Sequence, residues 1–272
     1  TLKDLICKYR DEIVIDHKAR KQTTHKLNLL TRQKIAYMNL MQIRASHIYE
    51  LMKDLYPRKP KTINIYVQLL NMIWKTAKTR FEITLPAQSP FALVSLPPVD
   101  DSRTRVLSSE EKVRLLKAAS ESKLLQLHDF IQFALMTGAR YGEIVRLKRC
   151  DVSFEKKTAT FRNTKNTFDR TIPLADPVIT ILKRYPFGET FFRIKRDSFW
   201  FYFKQARKKA GIEDFRFHDC RGTFSTNALL SGMSETAVAE ITGHRDNKSL
   251  KRYLRLKPND LLESVNKLVS LK

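Results

Sequence analysis

A proline-rich stretch without hydrophobic periodicity divides the sequence into two parts. Residues 85 to 105 contain four of the ten prolines of the 272-residue chain. Proline fixes its own φ and lacks an amide N–H, so regular helices and strands rarely continue through such a stretch. A length of 272 residues allows two domains at roughly 150 residues each. We therefore predict a first domain over residues 1 to 85, a linker over residues 86 to 105 and a second domain over residues 106 to 272.

Apolar residues recur at helical spacing throughout the first domain. The pattern predicts four helices, over residues 2–14, 27–38, 43–55 and 63–77. Pro57 and Pro60 separate the last two helices. Lysines and arginines lie between the apolar positions, so one face of this bundle can meet phosphates. A face that is merely solvated fits the same pattern.

The second domain combines helical and strand patterns. It starts with a helix whose N-terminus is marked by a capping box of Ser108 and Glu111. Helical spacing continues over residues 124–137, 175–184 and 197–210, whereas residues 151 to 174 predict short strands of an antiparallel sheet. The expected fold is mainly α with a small antiparallel β-sheet: a helical N-terminal domain followed by an α+β domain.

Positive charge is spread over both predicted domains. The chain has 51 Lys and Arg against 28 Asp and Glu, a formal net charge of +23. Residues 1 to 85 contain 17 basic and 7 acidic side chains, and residues 106 to 272 contain 32 and 19. Two basic domains favour a polyanion held between them, with double-stranded DNA as the expected partner. Binding to acidic membranes, or basicity that serves solubility alone, is the alternative.

Other features exclude several classes of protein. No apolar run is long enough to span a bilayer, and the N-terminus has no apolar signal core, so we expect a cytoplasmic protein without membrane contact. The three cysteines, Cys7, Cys150 and Cys220, include no C-x-x-C pair, which argues against a disulfide framework and a thiolate zinc site. Because the chain begins with Thr1 rather than Met, we expect residues to precede it.

Histidine, arginine and tyrosine recur at suggestive intervals near the C-terminus. His218 and Arg221 are three residues apart in a helical pattern, so both side chains can bind one small anion. His244 follows Gly243, and Tyr253 lies nine residues further on among lysines and arginines. Each residue alone has an ordinary interpretation as a cap, an ion-pair partner or an amphipathic tyrosine. Their joint spacing points to a catalytic site.

Two upstream stretches extend this pattern. In TGARYGEIVRLK, Arg140 precedes Glu143 by three residues, and in TKNTFDRTIPL, Lys165 occupies a predicted turn between strands. Alone, these residues would be a surface ion pair and a solubilising lysine. Together with the spacing of histidine, arginine and tyrosine, the two stretches resemble the signature boxes of the tyrosine recombinases, the phage integrase family of site-specific DNA recombinases.

The resemblance implies an enzyme that cleaves and rejoins DNA through a 3'-phosphotyrosyl intermediate, without metal, ATP or another cofactor. By position, it implies Tyr253 as nucleophile and Lys165 as general acid. It also implies a set of residues that bind the phosphate or support those that do: Arg140, Glu143, His218, Arg221 and His244. Among these, His218 is the expected general base and Glu143 the orienting partner of Arg140.

The resemblance also implies an assembly. The first domain resembles the core-binding domain of the family in its layout alone. Family members form a homo-tetramer on DNA, and the apolar stripe in residues 260 to 272 is expected to pack on a neighbouring protomer rather than on its own domain. Accessory DNA-bending factors are further candidate partners, and the expected setting is the nucleoid of a prokaryote or a phage-derived element.

Two alternative functions fit the same sequence. A type IB topoisomerase shares the chemistry but relaxes supercoils, and a non-catalytic regulator would use residues 234 to 256 as a helix-turn-helix. A covalent protein–DNA adduct distinguishes either enzyme from the regulator. Strand exchange between two duplexes distinguishes the recombinase from the topoisomerase.

Overall fold

The computed structural model describes residues 1–16, 20–99, 103–162 and 169–244. The chain divides into two compact units, Thr1–Asp101 and Ser102–Lys272. The proline-rich stretch contributes to both units, because Phe91 and Val94 are buried in the core of the first and Arg103 bonds to acidic side chains of the second. Among the described residues, no helix combines the length and apolar character needed to cross a membrane.

The described part of the first unit is helical, as predicted. Its helices are α1 (Leu2–Glu12), α2 (Arg20–Leu30), α3 (Ala45–Asp54) and α4 (Pro60–Thr79). The predicted helix over residues 27–38 is wrong, because α2 ends at Leu30 and a separate 3-10 turn spans Lys34–Tyr37. After Leu30, the backbone N–H groups of Arg32 and Gln33 donate hydrogen bonds to carbonyls three residues earlier, which tightens the turn. Gln33 itself adopts an extended conformation.

Helix α4 supplies much of the core of the first unit. Its predicted apolar face is buried, and Trp74 within it is 1% exposed. The Trp74 ring meets Phe91 edge-on, with 5.9 Å between ring centroids. The apolar residues of the proline-rich stretch therefore complete the core of the helical unit.

The described part of the second unit combines helices with a three-stranded sheet. Its helices are α5 (Ser109–Ser120), α6 (Leu127–Thr137), α7 (Tyr141–Arg146), α8 (Asp176–Lys183), α9 (Arg196–Lys209), α10 (Asp219–Leu230) and α11 (Glu235–Thr242). The strands are β1 (Val152–Ser153), β2 (Thr158–Phe161) and β3 (Arg170–Pro173). The mainly α fold with a small antiparallel sheet is confirmed.

Helix α6 is the centre of the second unit and packs against α5, α8 and α10. Phe130 on α6 is fully buried, and its ring centroid lies 4.9 to 5.5 Å from those of four other aromatic side chains: Tyr141, Phe192, Phe199 and Phe217. Aromatic packing of this kind holds α6 and α9 against the segments on either side of them. Through Phe130 and Phe217, α6 is thereby packed against the segment that leads into α10.

The sheet has the order β1-β2-β3, with antiparallel neighbours. Its register pairs Phe161 at the end of β2 with Arg170 at the start of β3. Lys165, in the predicted turn between these strands, lies outside the described residues.

Candidate active site

The first part of the site is the turn between α6 and α7. Helix α6 ends at Thr137 and is capped by Gly138, whose positive φ of 63° is a conformation that glycine adopts without strain. A Cβ at Gly138 would lie 2.7 Å from Phe224 Cδ1, so α10 approaches here more closely than a side chain would allow. Arg140 then occupies the N-cap position of α7, and Glu143 lies in the first turn of that helix.

Glu143 is a buried carboxylate with four hydrogen-bond donors. Its oxygens accept bonds from the Arg140 backbone N–H at 2.8 Å and from Arg140 Nη1 at 2.7 Å. Both terminal nitrogens of Arg170 donate to it as well, each at 2.8 Å. The Glu143 side chain is 2% exposed. The predicted pairing of Arg140 with Glu143 is therefore present, and it has a second arginine that was not predicted.

These contacts set the protonation state of Glu143. Burial alone would raise the pKa of the carboxyl group, but the hydrogen bonds and charges of Arg170 and Arg140 lower this pKa from its ordinary value of 4.5 to about 2. Glu143 is therefore negatively charged at neutral pH, and it fixes the orientation of both guanidinium groups.

Arg170 is a residue of the site that the sequence reasoning missed. It lies in the TKNTFDRTIPL stretch at the start of β3, and its side chain is 11% exposed. Besides pairing with Glu143, it donates from Nε to the Ile241 carbonyl at 2.9 Å and lies over the Phe161 ring at 4.8 Å. One side chain thus ties β3 to α7 and α11. The signal in the sequence was the position of Arg170 itself, in the stretch TKNTFDRTIPL that also contains Lys165.

Arg221 forms the second part of the site. It is 2% exposed, and its Nη1 donates to the Gly138 carbonyl at 3.1 Å. Its Nε donates to His244 Nε2 at 3.4 Å. His244 follows Gly243, which caps α11 with a φ of 69° and whose carbonyl accepts a bond from Arg140 Nη2 at 3.3 Å. Four predicted site residues, Arg140, Glu143, Arg221 and His244, are thereby brought together.

His218 lies at the N-cap of α10, one helical turn before the buried Arg221, and it is exposed. The neighbouring Asp219 accepts bonds from Arg103 Nη2 at 2.6 Å and from the Arg216 N–H at 2.7 Å. These bonds fix the first turn of α10 and, with it, the backbone of His218. Tyr253 and the apolar stripe of residues 260 to 272 lie outside the described residues.

The electrostatics of the described site favour an anion. Arg140 and Arg170 share one carboxylate, Glu143, and Arg221 adds a third guanidinium group that is bonded to the Gly138 carbonyl, so positive charge is in excess. Arginine presents planar, fixed donors that match a phosphate. Among the described residues, no group of three or more His, Cys, Asp or Glu side chains is arranged to hold a metal ion.

Comparison with known proteins identifies the class. The phage integrase family pattern matches residues 105–260, more than half of the chain. The chain therefore belongs to the phage integrase family, whose members are tyrosine recombinases, and its enzyme class is that of site-specific DNA recombinases. This membership argues against the non-catalytic regulator.

Individual relatives agree with this assignment. A shufflon-specific DNA recombinase of Escherichia coli is 28% identical over 271 residues, covering 95% of this chain and 70% of that protein. Tyrosine recombinase XerA of Saccharolobus solfataricus is 28% identical over 178 residues, covering 64% of this chain and 61% of that protein. The chain thus spans about two thirds of the length of these relatives.

Solved structures share the fold. The Tn1549 transposon integrase in complex with transposon right end DNA has a TM-score of 0.76 and 19% identity, covering 99% of both chains. A lambda integrase dimer bound to a COC' core site has a TM-score of 0.77 and 18% identity, covering 92% of this chain and 94% of that one. The helical architecture with a small sheet is therefore that of integrases.

We predict that acid weakens the folded state through Glu143. The pKa of this carboxyl is about 2 when folded and 4.5 ordinarily, so its stabilisation is complete above pH 4.5 and is lost as the pH falls toward 2. A shift of this size corresponds to about 3 kcal/mol. In urea denaturation over that pH range, the free energy of unfolding should fall more steeply for the wild type than for Glu143→Gln, which has no carboxylate to protonate. Parallel slopes would contradict the assignment.

We also predict that Arg170→Ala lowers the free energy of unfolding by about 3 to 5 kcal/mol, because it leaves a buried carboxylate with one guanidinium group instead of two. Denaturant unfolding measures the loss. Lys157→Ala is the control, since it removes an exposed ion pair with Asp176 at the same sheet and should have little effect. Adding Glu143→Gln to Arg170→Ala should restore part of the loss, and a further loss instead would show that the buried charge is not its cause.

Proposed function

We propose that the protein is a site-specific DNA recombinase or integrase that cleaves and rejoins DNA through a 3'-phosphotyrosyl intermediate. The observation that carries this proposal is that Arg140 bonds to the Gly243 carbonyl and Arg221 to the Gly138 carbonyl, with His244 beside Arg221. Guanidinium groups held in this way present convergent donors to the oxygens of a phosphodiester. The names of the relatives, which include a DNA recombinase and a tyrosine recombinase, support the same activity.

The chemistry requires charge neutralisation at the phosphate. A DNA phosphodiester resists attack because its anionic oxygens repel the nucleophile and its 5' oxygen is a poor leaving group. We assign Arg140 and Arg221 to the non-bridging oxygens, with His244 as a further donor. Each preorganised donor of this kind contributes about 3 kcal/mol to lowering a barrier. The arginines supply the charge that other enzymes obtain from metal ions, so the proposed reaction needs no metal.

The proposed covalent step is a transesterification. The Tyr253 hydroxyl oxygen forms a bond to phosphorus and gives its proton to His218, the bond from phosphorus to the 5' oxygen breaks, and Lys165 donates a proton to that oxygen. The products are a 3'-phosphotyrosyl bond and a free 5' hydroxyl. Attack by the 5' hydroxyl of another strand reverses the step. Because the phosphoester bond is conserved, rejoining needs no ATP.

The proposed partner is double-stranded DNA bound by both basic domains, with residues 1 to 85 as the core-binding domain. The Tn1549 and lambda integrase structures contain DNA, which supports this partner. We further propose a homo-tetramer on DNA joined through residues 260 to 272, with accessory DNA-bending factors as additional partners. The proposed location is the cytoplasm, in association with the nucleoid.

The proposal predicts that Tyr253→Phe still binds DNA but forms no covalent adduct, because only the nucleophilic oxygen is removed. Wild-type protein is expressed in bacterial cells, and DNA that stays attached after detergent denaturation is sequenced. Nicked duplexes of the recovered sequence then serve as substrates for purified protein.

Tyr56→Phe, which changes an exposed tyrosine of the first unit, is the matched control and should form the adduct normally. Wild-type cleavage should persist in excess chelator. A wild type that forms no adduct, or one inhibited by the chelator, would contradict the proposed reaction.

A second prediction concerns the general acid. Lys165→Ala should slow cleavage of ordinary DNA by about 100-fold or more. The defect should be much smaller on a duplex whose bridging 5' oxygen is replaced by sulfur, because sulfur leaves without protonation. Lys156→Ala, which changes an exposed lysine between β1 and β2, should cleave both duplexes at the wild-type rate. Equal defects of Lys165→Ala on both duplexes would remove Lys165 from this role.

A further inference from the structure

Thr242 is a buried polar residue of the site to which neither the sequence motif nor the proposed reaction gives a role. It is the last residue of α11 and is 0% exposed. Gly243 follows in the left-handed conformation, and the N–H groups of both Gly243 and His244 donate to the Ala239 carbonyl, at 2.7 and 3.0 Å. This turn brings the His244 ring back over the end of the helix that it has just left.

The Thr242 hydroxyl defines the hydrogen-bond roles of the His244 ring. A hydroxyl has one hydrogen, and Thr242 donates it to the Val238 carbonyl one helical turn earlier. The same oxygen lies 2.8 Å from His244 Nδ1. Since the hydroxyl hydrogen is already used, Oγ1 accepts in this second bond and Nδ1 carries the hydrogen.

The other ring nitrogen agrees with this assignment. Arg221 Nε carries a hydrogen at all relevant pH values and lies 3.4 Å from His244 Nε2, so Nε2 accepts. The four groups form one chain of donors in a single direction: Arg221 Nε–H to His244 Nε2, His244 Nδ1–H to Thr242 Oγ1, and Thr242 O–H to the Val238 carbonyl. In a neutral imidazole, one nitrogen donates and the other accepts, and here both roles are set by neighbours.

We propose that Thr242 is a positioning residue that holds His244 in the Nδ1–H tautomer and directs Nε2 toward the phosphate. The part that concerns the phosphate rests on the proposed function, whereas the tautomer does not. When a phosphate oxygen replaces the Arg221 contact, Nε2 takes up a proton from solvent and donates it in a hydrogen bond to that oxygen. Nδ1–H still donates to Thr242 in this state, so the threonine hydroxyl serves the ring before and after protonation. A partner of this kind, which holds the far nitrogen of a functional histidine, fixes both its orientation and its tautomer.

Two substitutions separate the hydroxyl from the methyl group of Thr242. A Cβ at Gly138 would lie 3.0 Å from Thr242 Cγ2, so the methyl group packs at the turn that also binds Arg221. Thr242→Ser keeps the hydroxyl and leaves a small cavity, whereas Thr242→Val keeps the shape and removes the acceptor. A role limited to packing would make the serine variant the more defective one. The positioning role makes the valine variant the more defective one.

The direct test is the tautomer of His244 in the full chain without DNA. Protein labelled with ¹⁵N in its histidines gives long-range proton–nitrogen spectra that show which ring nitrogen is protonated, and a His244→Asn variant assigns the His244 signals. At a pH above the ordinary histidine range, the wild type and Thr242→Ser should show Nδ1–H. Thr242→Val removes the acceptor of Nδ1–H and leaves only the 3.4 Å contact from Arg221 Nε to favour that tautomer, so the ring should lose that pattern and shift toward Nε2–H, the tautomer that an unrestrained neutral histidine favours. A wild type with Nε2–H, or a valine variant that keeps Nδ1–H, would overturn the inference.

Adduct formation then tests the consequence for catalysis. On the nicked duplex, Thr242→Val should form the covalent adduct about 10-fold more slowly or worse, as losses of such supporting partners usually do, and Thr242→Ser should stay near the wild-type rate. A shifted tautomer with an unchanged rate would overturn the catalytic part of the inference. Failure of the wild type to form any adduct would count against the proposed function, and the tautomer measured without DNA would still stand.

Discussion

The buried carboxylate of Glu143 is the interaction on which the rest of the site depends. An ionised carboxylate with 2% exposure is stable only when it is paired and fully hydrogen-bonded, and here two guanidinium groups and one backbone amide meet that need. Glu143 in turn holds the guanidinium groups of Arg140 and Arg170 close to each other despite their like charges. Arg170 extends the constraint to β3 and to the Ile241 carbonyl at the end of α11. Three segments far apart in sequence therefore take their relative positions from one acidic side chain.

Two glycine turns complete this arrangement in a reciprocal way. Gly138, after α6, offers its carbonyl to Arg221, and Gly243, after α11, offers its carbonyl to Arg140. Both glycines have a positive φ, which exposes the carbonyl of a helix end and lets a neighbour approach without a Cβ in the way. Arg140, which follows the Gly138 turn, is thus oriented by the Gly243 turn. Arg221, whose neighbour His244 follows the Gly243 turn, is oriented by the Gly138 turn. The glycines of the two motifs therefore contribute to the site through their backbone carbonyls.

How far the sequence predicts this site depends on how many residues separate the two partners of each contact along the chain. The pairing of Arg140 with Glu143 spans three residues of one helix start, and the spacing of Arg221, Gly243 and His244 follows a motif, so these were predicted. Arg170 was missed because its role depends on the register of β2 with β3 and on the approach of α11, which local patterns do not contain. Thr242 was missed because a threonine in the last turn of a helix is typical of local backbone bonding. The same limit explains the predicted helix over residues 27–38, where local apolar spacing continues past the end of α2 into a 3-10 turn whose Ile35 is buried in the core.

The strengths of the contacts to Arg221 indicate how the site can receive a phosphate. Its bond to the Gly138 carbonyl, at 3.1 Å, is of ordinary length, whereas its bond to His244, at 3.4 Å, lies beyond the usual range for N–H donors. The contact with His244 is therefore the weaker of these two, and the proposed phosphate would replace it with shorter bonds in which the acceptor is charged as well as the donor. The bond to Gly138 need not break, so the guanidinium plane keeps its orientation while the ligand enters. His244, held from its other side by Thr242, keeps its position as well. Binding in the proposed reaction thus exchanges one weak contact for stronger ones and leaves the supporting contacts of both residues in place.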